Sequence, residues 1–101
     1  MRPAIVLVDD EAIVLRSLTE ELHRQFGAEL HIEAAETAAE ALEIVEHLAG
    51  LGQPIAAVVS DHIMPGGMNG DELLVTLHQR LPRTRKILLT GQAGVDAVAN
   101  V

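Results

Sequence analysis

Three short aliphatic runs in this chain each end in residues that can do chemistry. Ile5-Val6-Leu7-Val8 runs into Asp9-Asp10, Val58-Val59-Ser60 into Asp61, and Ile87-Leu88-Leu89 into Thr90-Gly91. Short continuous runs of this kind suit strands buried on both faces. In open α/β sheets the ligand sites form at the C-terminal tips of such strands. Neighbouring strands would thus bring three carboxylates and a hydroxyl to one edge. Carboxylates held side by side repel, and a bound cation is the usual compensation. An all-oxygen donor set favours Mg²⁺ or Ca²⁺ over softer metals. Mg²⁺ takes one or two carboxylates plus a phosphate oxygen and keeps several waters. A carboxylate can also attack phosphorus and hold the phosphoryl group as a mixed anhydride.

Each of these residues has a plainer structural reading. Asp10 precedes a helical pattern and is a good N-cap, although Asp9 beside it weakens that reading, because one cap suffices. Asp61 opens a loop rich in Pro and Gly, where turn residues are common. Thr90 on its own is an ordinary β-branched strand residue. The five histidines, His23, His31, His47, His62 and His78, show no ligand spacing on one element, which argues against a zinc site. His62 follows Asp61 and reads best as a solvated loop residue.

The elements that would position the acids are legible from periodicity. After Asp10, residues 11–26 turn helical, with Val14, Leu18, Leu22 and Phe26 on one stripe, widened by Ile13 and Leu15. Gly27 is placed to end that helix in a left-handed cap. Residues 30–34 alternate apolar and polar, as a sheet edge does. Thr37 with Glu40 three residues on is a capping-box signature, followed by the stripe Ala38, Ala41, Leu42, Val45 and Leu48. Gly50, Gly52 and Pro54 lead to the third strand, residues 55–60. Asn69 with Glu72 caps a third helix, whose apolar face is Leu73, Leu74, Leu77 and Leu81, and Pro82 ends it. Residues 86–90 form the fourth strand, 91–94 a loop, and 95–101 the start of a fourth helix.

Composition narrows the class. A chain of 101 residues is one domain. Apolar residues make up 49% of it, enough for a compact core, and Phe26 is the only aromatic; parallel sheets covered by helices want such aliphatic filling. The net charge of −8 argues against a nucleic-acid partner, which needs a basic patch. With no cysteine there is no disulfide framework or thiolate metal site. No signal peptide is read, and no apolar run approaches a membrane span. The expectation is a cytoplasmic protein with no membrane partner.

Val8-Asp9-Asp10-Glu11 after the first strand, Ser60-Asp61 followed by Met64-Pro65 after the third, and Leu89-Thr90-Gly91 after the fourth together resemble the receiver domain of two-component response regulators. The three separated signatures stand in the right order and span nearly the whole chain. The resemblance implies an α/β, flavodoxin-like receiver fold with parallel strand order 2-1-3-4. It implies that Asp61 is the phosphoacceptor and that the metal site, for Mg²⁺, is formed by Asp9, Asp10, Asp61 and the backbone carbonyl of Ile63. Asp10 would ligate directly and Asp9 through water. It further implies that the Thr90 hydroxyl and Gly91 N–H bind the phosphoryl oxygens. The implied partner is a sensor histidine kinase or phosphotransfer protein. Such a domain is a signalling acceptor and not an enzyme. One departure is visible: Gly66 and Gly67 both stand between Pro65 and Met68, where the family has one residue.

The family pattern continues to a fifth strand ending in Lys and a fifth helix. Lys86 starts the fourth strand and does not match that Lys. Residues 1–101 are therefore expected to be a C-terminally incomplete receiver domain, with weakened coupling to any conformational switch. Its fourth strand would be an open apolar edge, favouring self-association through that edge or through the stub at residues 95–101. Two rivals remain. A phosphorylation-incompetent interaction or dimerisation module would keep the fold without the acids. A Mg²⁺-dependent phosphohydrolase with an Asp nucleophile typically has a second acid two residues later, where this chain has Ile63.

Overall fold

The computed structural model describes residues 1–61, 69–89 and 99–100. Its elements are β1 (Ala4–Val8), α1 (Ala12–Phe26), β2 (His31–Ala35), α2 (Ala38–Gly50), β3 (Ile55–Asp61), α3 (Gly70–Arg80), β4 (Arg85–Leu89) and β5 (Ala99–Asn100). The sheet order is β2-β1-β3-β4-β5. The first four strands are parallel, in the order 2-1-3-4 that the motifs imply. No parallel fifth strand and no helix after α3 occur among the described residues.

Strand periodicity sorts the side chains onto two faces. Val6, Val8 and Val58 face α2 and α3, where Ala41, Val45, Leu48, Leu73, Leu74 and Leu77 complete the larger core. Leu7 and Ile32 face α1 and meet Leu15, with Leu22 and Val59 packed alongside. The stripe of α1 thus differs from the expected one. Leu15 is buried, whereas Val14, Leu18 and Phe26 are 38%, 37% and 40% exposed and Ile13 is 84% exposed. Among the described residues α1 is the one helix on this face of the sheet; it covers the face only along its contact line, so the flanks of the apolar stripe stay wet.

Local chemistry fixes the ends of the helices. Thr37 Oγ1 accepts the Glu40 N–H at 3.1 Å. Glu40 reaches back to the N–H of Glu36, one residue short of the box expected from the sequence. Glu72 accepts the Asn69 N–H at 3.1 Å and closes the box at α3. Gly27 is right-handed, with φ −60°, and not the left-handed cap expected. It is glycine for another reason, since a Cβ there would lie 2.5 Å from the His23 carbonyl oxygen.

The expected helix over residues 95–101 is not present at Ala99 and Asn100. Those two residues instead pair antiparallel with β4, Asn100 opposite Ile87 and Ala99 opposite Leu88. The edge of β4 offers these residues ready hydrogen-bonding partners. The fully open β4 edge expected from the sequence is thereby partly covered. Residues 95–98 and 101 lie outside the described residues.

Lys86, the chain's only lysine, is fully buried on β4, opposite Val58. Its Nζ lies 3.1 Å from His78 Nδ1 and donates to the Leu81 carbonyl at the end of α3. Cations are favoured at helix C-termini. Burial nevertheless pushes its pKa below the ordinary 10.5. The folded state therefore releases this proton before the unfolded state does, and stability rises with pH in that interval. The chain has no Cys or Tyr to titrate there. Thermal melts between neutral pH and pH 10.5 are predicted to show a rising melting temperature that flattens in Lys86→Met. An equal rise in that variant would contradict the assignment.

Candidate functional site

The site is built by two strand ends. β1 and β3 are neighbours, with Val8 opposite Ser60. The residues that follow, Asp9 and Asp61, are therefore brought level at one edge of the sheet. The carboxylate oxygens of Asp9, Asp10 and Asp61 can lie within 4.8 Å of one another. Asp9 and Asp61 are half-buried.

The plainer reading of Asp10 as an N-cap is not found. The N-cap of α1 is Glu11, and Asp9 Oδ1 accepts its N–H at 2.9 Å. Asp9 thus has one oxygen committed to the helix, while Asp10 makes no such bond among the described residues. Neither Asp9 nor Asp10 joins an ion pair there. Coulomb repulsion at about this spacing is roughly 1 kcal/mol per pair in bulk water and several times that at lower effective dielectric. Among the described residues the donor set is carboxylate oxygen, which fits a hard divalent cation such as Mg²⁺. Beside Asp9 and Asp61 is a cavity of about 10 Å³, lined also by Leu15, Leu18, Val59 and Leu89, about the size of one water.

The structure thus brings together three of the expected site residues, Asp9, Asp10 and Asp61. Ile63, Thr90 and Gly91 lie outside the described residues, as do the Met64-Pro65 loop and His62. Leu89, the last residue of β4, is opposite Asp61. Sequence reasoning missed Ser60. Its buried hydroxyl donates to the Asp61 carbonyl at 2.9 Å. Period-two alternation from Val58 already placed it on the α2–α3 face, where a polar side chain needs a partner.

Comparison with known proteins agrees with this arrangement. A family model described as the response regulator receiver domain matches residues 5–101. Among solved structures, a response regulator receiver domain protein from Clostridium thermocellum is 24% identical, with a TM-score of 0.74 over 93% of this chain and 69% of that one. A response regulator receiver protein from Sinorhizobium medicae is also 24% identical, with a TM-score of 0.74 over 94% of this chain and 71% of that one. The isolated REC domain of RcsB from Salmonella enterica serovar Typhimurium, solved in the presence of the phosphomimetic BeF3-, is 18% identical. Its TM-score is 0.74, covering 96% of this chain and 67% of that one. At these identities the structures speak to the fold alone. No curated protein matches the chain. Among the described residues no helix is long and apolar enough to cross a membrane. With its acids converging at the strand tips and the family model spanning residues 5–101, the chain belongs to the response regulator receiver domain family.

Proposed function

We propose that this domain is a phosphoacceptor in two-component signalling, taking a phosphoryl group from a histidine kinase or phosphotransfer protein onto Asp61. The observation that carries the reading is the meeting of Asp9, Asp10 and Asp61 at one sheet edge. Acids gathered in this way repel one another, a bound cation offsets that repulsion, and family membership makes Mg²⁺ the fitting ion. The RcsB receiver, of the same fold and solved with the phosphomimetic BeF3-, supports the same reading.

In this reading an Asp61 carboxylate oxygen attacks phosphorus in line with the donor's phosphorus–nitrogen bond. The new oxygen–phosphorus bond forms as the old one breaks, and the imidazole leaves with the bonding pair and takes up a proton. Asp10 and Asp9 would hold Mg²⁺, with Asp61 and the Ile63 carbonyl completing the protein ligands. Bound there, the ion supplies positive charge that offsets the donor phosphate and the nucleophile. Asp9, pinned to the Glu11 N–H, has one oxygen left for a bound water. Thr90 and Gly91 are assigned to the phosphoryl oxygens by their place in the family motif. The domain accepts one equivalent and does not turn over, which separates it from a hydrolase. Intact acids separate it from an incompetent interaction module.

Two outcomes are predicted. Asp10→Asn removes one like charge, so in metal-free buffer it should melt above the wild type. Millimolar Mg²⁺ should raise the wild-type melting temperature through preferential binding to the folded state and leave Asp10→Asn nearly unmoved. Equal shifts in both proteins would show that these acids are not the ligands. With acetyl phosphate, the wild type should incorporate up to one phosphoryl group per chain, dependent on Mg²⁺, and Asp61→Asn should incorporate none while folding normally. Full labelling of Asp61→Asn would place the acceptor elsewhere, and many equivalents of phosphate released would favour the hydrolase.

A further inference from the structure

We infer that Gly70 is a positioning residue for Asp61: the first residue of α3 is held against the backbone of the acceptor, and only glycine leaves room for it. The inference rests on the phosphoacceptor reading of Asp61 and deepens it. Gly70 is buried at the start of α3. A Cβ on it would lie 2.0 Å from the Asp61 carbonyl oxygen and 2.9 Å from both the Asp61 carbonyl carbon and Ser60 Oγ. Two of those three atoms are backbone, which no rotamer change can move. Ser60 Oγ binds the same carbonyl oxygen at 2.9 Å, so this oxygen is held from two sides.

The helix has little freedom to retreat. Leu73, Leu74 and Leu77 are fully buried against the sheet and fix where α3 begins. A side chain at position 70 would therefore displace the tip of β3. Asp9 and Asp10 belong to the end of β1, on a separate backbone segment, and would not follow. The expected consequence is a change in the spacing between Asp61 and the other two acids, with the core left in place. Misplacement of a reacting group by about 1 Å is enough to lower a rate about a hundredfold.

The alternative is that Gly70 matters only to helix stability. Alanine is the better helix former, so in open space Gly70→Ala would strengthen α3 and leave phosphorylation alone. The test is the time course of labelling by acetyl phosphate in saturating Mg²⁺, for the wild type, Gly70→Ala and Ser60→Ala. The folded fraction is measured on the same samples by circular dichroism. Loss of folded molecules lowers the amount of label reached, whereas displacement of Asp61 lowers the rate constant of the molecules that are folded. Gly70→Ala is predicted to lose about a hundredfold in rate constant. Ser60→Ala, which removes only the hydroxyl, should lose severalfold and carries the test if Gly70→Ala does not fold. Wild-type rate constants in the folded variants would overturn the inference while leaving the phosphoacceptor reading intact. An unlabelled wild-type chain would overturn that reading, and this inference with it.

Discussion

The parallel pairing of β1 with β3 is the constraint on which the rest depends. Val8 opposite Ser60 ends the ladder between the two strands, and this register brings the acids that follow, Asp9 and Asp61, together. That register is itself set by burial. Val6 and Val58 are opposite each other and fully buried on the α2–α3 face. A slip by one residue would turn every side chain of a strand to the other face. The carboxylate cluster is thus assembled by aliphatic packing several residues away, and the repulsion among the acids is opposed by the whole core.

The two faces of the sheet contribute differently. On one, α2 and α3 bury a continuous aliphatic core, and α3 starts with its first residue pressed on the Asp61 backbone. Among the described residues the other carries only α1, and Val14, Leu18 and Leu89 stay partly wet there, Leu18 and Leu89 close to Asp9 and Asp61. Asp61 is therefore backed by a packed aliphatic core. A rigid backing would suit the proposed role of Asp61, which needs its carboxylate in line with a donor. The buried Lys86 belongs to the rigid side. Its stem fills the core beside Val58, and its amine binds the last turn of α3.

Much of this is legible in the sequence because the strongest local signals and the fold agree. The aliphatic runs ending in Asp9-Asp10 and Asp61 mark the strands, and three motifs in order mark the parallel arrangement. Thr37 and Asn69 mark two helix starts correctly. The departures share a cause, for periodicity tells which residues can share a face but not how much of that face is covered. Val14, Leu18 and Phe26 have perfect spacing yet remain exposed, while Leu15 takes the contact. Gly27 suggests conformational freedom, although close approach to the His23 carbonyl is what requires it. Asp10 is a candidate cap by position, but the N-cap is Glu11, and it is Asp9 that accepts the Glu11 N–H. Which of two adjacent acids turns toward a helix end depends on strand pleat and register, and these are set by distant pairing. Lys86 is invisible as a core residue, because a lysine is almost never fully buried without a partner, and that partner is a carbonyl at the far end of α3.

The central claim is that Asp61 itself receives the phosphoryl group. The most direct measurement is reductive trapping: label the wild-type chain with acetyl phosphate and Mg²⁺, reduce with borohydride, digest, and locate the modified residue by mass spectrometry. An aspartyl phosphate is reduced to homoserine, whereas a free carboxylate is not. The account predicts homoserine at position 61 and unmodified aspartate at positions 9 and 10. Homoserine at either of those positions, or none anywhere in a folded and Mg²⁺-loaded sample, would contradict it.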